Sequence, residues 1–242
     1  MSSSGIYPAL AGASAGSQAM EVLANNVANS ASGGFRAQRL GFHEVLSRAQ
    51  SKRGDQRFVD AAVMRPDLSP GPLKQSGVDT DLALQGPGFL VTQGPNGAAR
   101  YLRGGALQRD PQNQLVTASG AVVLGANDQP LVAPAGPISV SQTGEVQVNR
   151  KAVGTLKLVE FPDPGLLRPV GGGQYSAPAG AAPQAATKTA VLPGYLEGAN
   201  VNPMKAMTDV IVCARHYEAL HRAIETFREI DTTAARDLGS VP

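Results

Sequence analysis

The sequence predicts an α+β chain in which N- and C-terminal helices pair as a coiled coil and enclose an inserted, mainly antiparallel β-domain. Three observations carry this: a nearly uncharged helical repeat at the start, a second helical repeat at the end, and short apolar runs between turn residues in the middle. Residues 1–35 read as the first helix, and Glu21 is their only charged side chain. Ile6, Ala13, Met20 and Val27 recur every seven residues, with Ala9, Gly16 and Leu23 three positions after the first three. This is an a/d seam of mostly small residues, which permits close backbone approach. The other faces hold Ser14, Ser17, Gln18, Asn25 and Asn26. They are too polar for lipid and too uncharged for a solvated face, so this helix needs protein around it.

Residues 36–78 are polar and punctuated by Pro66, Pro70, Gly71, Pro72 and Gly77, the composition of an extended loop segment. From 79 to 176 the pattern becomes that of a β-domain, with apolar runs at Leu82–Leu84, Phe89–Val91, Leu115–Thr117, Val122–Leu124, Ile138–Val140, Val146–Val148 and Leu156–Phe161. Asp110–Asn113 and Thr143 with Gly144 mark two of the turns. Residues 177–194, rich in Ala, Pro and Gly, form a connector back to the second helical module at 195–242. There Val210, Tyr217, Ile224 and Leu238 share one heptad position, and Ala206, Cys213, Leu220, Phe227 and Ala234 another. Asn202 is placed to cap this helix, Pro203 fits its first position, and Gly239 its end. Its outer face is charged, with Glu218 and Arg222 at the favourable i,i+4 spacing. At 1.5 Å per residue the two helices would run about 35 and about 50 Å.

Hydrophobic residues make up 42% of the 242, enough for a real core, and the net charge is only +2. Arg48, Lys52, Arg53, Arg57 and Arg65 are interrupted by Asp55 and Asp60, which fits a solvated linker and gives no reason to expect a nucleic-acid partner. The one cysteine, Cys213, lies on the helical seam, where it serves as a small apolar residue. The N-terminus has no basic and apolar leader pattern, which by ordinary rules predicts a cytoplasmic protein. His216 and His221 are five apart, the wrong spacing for two ligands on one helical face, and His43 is distant in sequence, so no metal site is expected. Gly86-Pro87-Gly88 lacks the Lys-Ser or Lys-Thr of a phosphate loop and reads as a strand-entry turn; Gly171–Gly173 reads as a flexible loop. No Gly-x-Ser-x-Gly organises the serines. The expectation is a non-enzyme with no catalytic residue, no cofactor and no small-molecule substrate.

Three motifs are more specific. Ala24-Asn25-Asn26-Val27-Ala28-Asn29 followed by Ser32-Gly33-Gly34-Phe35-Arg36 resembles the N-terminal signature of the bacterial flagellar axial proteins of the rod and hook. Leu196-Glu197-Gly198-Ala199-Asn200-Val201-Asn202-Pro203, continuing through Met207 to Ala214-Arg215-His216-Tyr217-Glu218, resembles their C-terminal signature. Asp81 to Phe89 is similar to the segment that opens their β-domain. Ser32 stands where the family usually has Thr, which keeps the hydroxyl. The resemblance implies a structural subunit of the flagellar basal-body rod. Such subunits are exported by the flagellar type III apparatus without a cleaved signal, which displaces the cytoplasmic expectation. They polymerise with copies of themselves and with other proximal and distal rod subunits into a tube that transmits torque. Short length, Gly34–Gln38 and Val153–Val159 are most similar to members of the proximal part of the rod, with the distal part the second reading. The implied assembly interface comprises Ile6, Ala13, Met20, Leu23, Asn25, Asn26, Val27, Asn29, Phe35, Asn200, Asn202, Pro203, Val210, Cys213, Tyr217, Leu220, Ile224 and Phe227. A competing reading is a soluble hydrolase or binding protein whose helices merely cap a β-domain, which would require a pocket with convergent polar groups.

Overall fold

The computed structural model describes residues 6–41, 43–47, 56–60, 64–94 and 97–239. Arg48, Lys52, Arg53 and Asp55 of the basic stretch lie outside the described residues. The fold is α+β, and Cα packing divides it into a helical unit, made of residues up to 28, 38–64 and 202 onwards, and a β unit of residues 29–37 and 65–201.

In the helical unit, helix α1 spans Ile6–Ala28 and helix α2 spans Pro203–Gly239. The predicted first helix therefore ends early: residues 29–34 are turns, closed by the Ser32 N–H donating to the Asn29 carbonyl at 3.0 Å. Asn202 caps α2 by accepting the Lys205 N–H at 3.1 Å, and the fixed φ of Pro203 suits the first helical position. The helices pack side by side. Ala9, Ala13 and Ile224 are buried together, with Ile6, Tyr217 and Leu220 packed around them. A Cβ on Gly12 would touch Leu220 at 3.4 Å and one on Gly16 would touch Tyr217 at 3.6 Å. Since α1 read forward meets α2 read backward, the pair is antiparallel.

A second face of α1 is covered by the same unit. Ala15, Val22 and Asn26 are buried although they lie off the seam. Both ends of the Asn26 carboxamide are used: its Nδ2 donates to the Gln38 carbonyl at 2.9 Å and its Oδ1 accepts the Gln38 N–H at 2.8 Å. Strands Gln38–Leu40 and Gln56–Asp60 pack along the helix, and Gln56–Asp60 pairs antiparallel with His43–Ser47. The stretch expected to be loop thus holds an antiparallel strand pair. Its polarity hid it from a reading that looks for apolar alternation, because main-chain pairing builds the ladder.

The β unit is organised by an eleven-stranded sheet whose pairings are all antiparallel. Its main path runs Arg168–Gly171, Gln174–Ser176, Ala99–Leu102, Phe89–Gln93, Val122–Val123, Leu115–Thr117, Gly104–Arg109, Asp81–Gln85 and Ala190–Pro193. Ile138–Val140, Glu145–Val148 and Lys151–Thr155 form a separate three-stranded meander. The Ala, Pro and Gly-rich connector is more ordered than its composition predicts, because its end docks on the sheet edge. Val191 faces Leu84 there and is fully buried. Gly171–Gly173 is likewise a tight turn and not a flexible loop: Gly172 and Gly173, at φ 59° and 72°, form a two-residue hairpin connection between Gly171 and Gln174.

One cluster of this core gathers Leu82, Leu90, Leu115, Val123, Val146 and Val191, and a second is aromatic. Phe89 meets the rings of Phe161 and Tyr175 edge-on at 5.7 and 6.0 Å, and Tyr101 meets Phe161 at 4.8 Å. Burial pushes the Tyr175 hydroxyl up to about 12. Leu115 has no exposed surface, so Leu115→Ala is expected to destabilise the β unit by about 2–5 kcal/mol. Denaturant unfolding followed by far-ultraviolet circular dichroism measures this; a midpoint equal to wild type would contradict the assigned core.

Candidate assembly interface

The residues expected at an assembly interface fall into two groups. Ala13 and Ile224 are buried within the helix pair, and Ile6, Tyr217 and Leu220 close around them. Cys213 directs its thiol at the Gly16 carbonyl, 3.5 Å away, as a small residue facing a small residue. Met20, Leu23, Val27, Val210 and Phe227 are half-buried, Asn25 is exposed, and Asn26 is taken up by the Gln38 main chain. The side chains of Ala234 and Leu238, which the heptads also place on the seam, lie outside those described. Asn202 and Pro203 start α2 and are exposed.

The second group lies in the β unit, whose first and last segments meet there. The Gly34 N–H donates to the Glu197 carbonyl at 2.6 Å and the Asn200 N–H to the Phe35 carbonyl at 3.2 Å. Asn200 works as a clip: its Oδ1 accepts the Ala37 N–H at 2.6 Å, and its Nδ2 reaches the carbonyls of Asp67 at 2.8 Å and Ser69 at 3.0 Å. Behind this clip is a buried charge cluster that sequence reasoning did not single out. Arg36 Nη2 donates to Glu197 Oε1 at 2.7 Å, with 0% and 2% of the two side chains exposed. The Gly71 N–H donates to the same oxygen at 2.8 Å, and Arg36 Nη1 donates to the Ser69 carbonyl. On the other side of Glu197, Arg103 Nε approaches Oε2 at 3.9 Å.

Arg103 then gathers the turn that opens the β-domain. It donates to the carbonyls of Gly88, Gly86 (2.7 Å) and Leu84 (3.4 Å), and its guanidinium stacks over the Phe89 ring at 5.4 Å. Burial foremost, and then the Arg36 charge, lower the pKa of Arg103, while Glu197 opposes them. Two guanidinium groups share one carboxylate, so the surplus positive charge is spread over backbone carbonyls. All three sequence motifs therefore converge on one cluster: Arg36 from the first, Gly86 and Gly88 from the middle, Glu197 and Asn200 from the last. The signal was present in the sequence as isolated charges inside otherwise apolar, glycine-rich motifs. Gly71 is held for a steric reason, since a Cβ there would sit 2.1 Å from the Gly198 carbonyl oxygen.

A hollow of about 650 Å³ opens beside Arg103 and Glu197, walled by Leu68, Pro70, Leu73 and Pro164. Glu197 Oε1 and both terminal nitrogens of Arg103 are hydrogen-bonded there, whereas Glu197 Oε2 and Arg103 Nε, 3.9 Å apart, make no hydrogen bond among the described residues. Among the described residues no three His, Cys, Asp or Glu side chains group to hold a metal. No described helix is long and apolar enough to cross a membrane.

A pair of terminal helices and, as a separate unit, a β-domain whose own first and last segments are clipped together are what the resemblance to axial subunits implies. The comparisons identify which. A model of the flagellar hook protein FlgE/F/G D1 domain matches residues 83–148, and one of the flagellar basal body rod FlgEFG protein C-terminal region matches residues 192–237. The chain is 32% identical to the flagellar basal-body rod protein FlgF of Caulobacter vibrioides, over 92% of each chain. It is 33% identical to FlgF of Salmonella typhimurium over 93% of this chain and 94% of that one. It is 28% identical to the rod protein FlgG of Agrobacterium fabrum over 90% and 93%. The chain belongs to the flagellar basal-body rod protein family, most like FlgF, and is a structural, non-enzymatic component of the basal-body rod.

Glu197→Ala would leave two buried guanidinium groups without their carboxylate, at a cost of about 3–5 kcal/mol. Glu197→Gln, which keeps one acceptor, is expected to fall between this variant and wild type. Thermal unfolding of the purified chain reads the order; equal transitions for all three would show that the cluster does not hold the β unit together.

Proposed function

We propose that the chain is a proximal-rod subunit that polymerises through its terminal helices, paired as a coiled coil, into the tubular shaft that carries torque from the motor. The carrying observation is α1. It has one charged residue in 23, its seam is spent on α2, and its outer faces remain exposed and nearly uncharged. Such a surface is met best by other protein. Copies of this chain and the other rod subunits, proximal and distal, supply it, and the seam and motif residues from Ile6 to Phe227 form or position the contact. Delivery is through the flagellar type III export apparatus to a rod that spans the periplasm. The proximal assignment is supported by the similarity to two FlgF proteins at 32% and 33% identity.

Imaging basal bodies from a strain lacking this chain tests the assignment. The proximal rod segment should be missing; a rod truncated only at its distal end would replace this reading with a distal one. Ile224→Asp, which places a carboxylate at a site 4% exposed in the helix pair, would cost several kcal/mol and block incorporation into rods. Basal bodies containing the variant at wild-type level would refute assembly through the helix pair.

A further inference from the structure

α1 leaves one continuous strip uncovered: Leu10, Ser14, Ser17, Glu21, Ala24 and Ala28 are all exposed. Their spacing alternates four and three, so they form a single helical face. Glu21 is the only charged residue of α1, and it makes no ion pair among the described residues. α2 carries a matching strip. Thr208, Val212, Arg215, Ala219, Arg222 and Thr226 are all exposed, with the same alternation. Of its two cations, Arg222 faces Glu218 on the same helix at 3.7 Å, whereas Arg215 makes no ion pair among the described residues.

We propose that the outer strip of α1 docks on the outer strip of α2 from a second copy of this chain, in the one antiparallel register that sets Glu21 against the neighbour's Arg215. This rests on the assembly reading above and specifies its contact. Copies related by rotation and translation along a common axis keep each helix's direction along that axis, and in the proposed shaft the helices run lengthwise. An α1 and a neighbouring α2 therefore run antiparallel, as they do within one chain. Aligning Glu21 with Arg215 sets Ser17 against Ala219, Ala24 against Val212, Ser14 against Arg222 and Ala28 against Thr208. On either side of the ion pair small residues face small or medium ones, Leu10 meets Thr226, and the remaining cation, Arg222, meets the Ser14 hydroxyl. Covering Glu21 without a cation would strand a carboxylate away from water, so any neighbour on this face must bring one. A register shifted by seven residues would use Arg222, already engaged by Glu218, and would set Ser14 against Glu229.

The test uses exposed positions only. In a Cys213→Ser background expressed as the sole copy, Ser17→Cys with Ala219→Cys is expected to form disulfides between copies in isolated basal bodies, giving a ladder that contains this chain alone by mass spectrometry. Glu21→Arg or Arg215→Glu alone is expected to lower incorporation about tenfold or more, and the two together to restore it, which a general loss of folding would not do. Cross-linking through Ser17→Cys with Thr226→Cys in place of Ala219→Cys, no cross-linking by either pair, or normal incorporation of both single variants would each overturn the register. Those results would leave the assembly reading standing, since that falls only if Ile224→Asp enters rods normally.

Discussion

The Glu197 carboxylate is the interaction on which the β unit depends. It accepts from Arg36 and from the Gly71 main chain through one oxygen and faces Arg103 with the other. Through those partners it reaches the first segment of the unit, the 67–71 loop and the Gly86–Gly88 turn. No apolar contact could do this with the same directionality, because a planar guanidinium fixes both the distance and the plane of what it binds. A buried ion pair is a weak source of net stability but a strong one of geometry. Here the geometry is that the chain enters and leaves the β unit at adjacent points.

Charge is handled in opposite ways by the two units. In the β unit the buried Arg36, Arg103 and Glu197 are set against one another and against backbone carbonyls, although Arg36 Nε, Arg103 Nε and Glu197 Oε2 make no hydrogen bond among the described residues. Glu160 behaves similarly at the surface, where the main-chain N–H of Lys188, the Thr189 hydroxyl and the Thr187 N–H hold its carboxyl below the usual range. In the helical unit almost no charge is placed on α1, and most of the described charges of α2 are exposed. One unit buries its charges against each other, and the other leaves a nearly uncharged helix face exposed.

The architecture was legible where one periodicity dominated. Heptads located both helices, Asn202 and Pro203 marked the start of α2, and the runs at Leu115–Thr117 and Ile138–Val140 are strands with those bounds. What escaped was structure held by backbone pairing in polar or glycine-rich sequence: the pairing of His43–Ser47 with Gln56–Asp60, the Gly172-Gly173 turn, and the Ala190–Pro193 edge strand. Their side chains carry little of the pattern that reveals a strand, and their partners are distant in sequence. Ala9, Ala13 and Ile224 are buried where the heptads put them, whereas Ala15, Val22 and Asn26 are buried off the seam, against parts of the unit that the heptads do not reveal. The charge cluster was not legible, because Arg36, Arg103 and Glu197 are brought together only by the fold.

The two units also differ in how much apolar surface they hold. Among the described residues the β unit gathers Leu82, Leu90, Leu115, Phe89, Tyr101 and Tyr175 with others into two clusters, whereas the helix pair fully buries Ala9, Ala13 and Ile224. At about 25 cal/mol per Å² of apolar surface, alanines contribute little, and ordering a residue costs about 1–2 kcal/mol of backbone entropy. A long helix pair with a seam of small residues thus draws little stability from within one chain. The same small residues that make it weak alone make its faces flat and close-fitting to a neighbour. In the proposed shaft, the contacts that order the helices are the contacts that carry the load, so a subunit becomes rigid only where it has been built in.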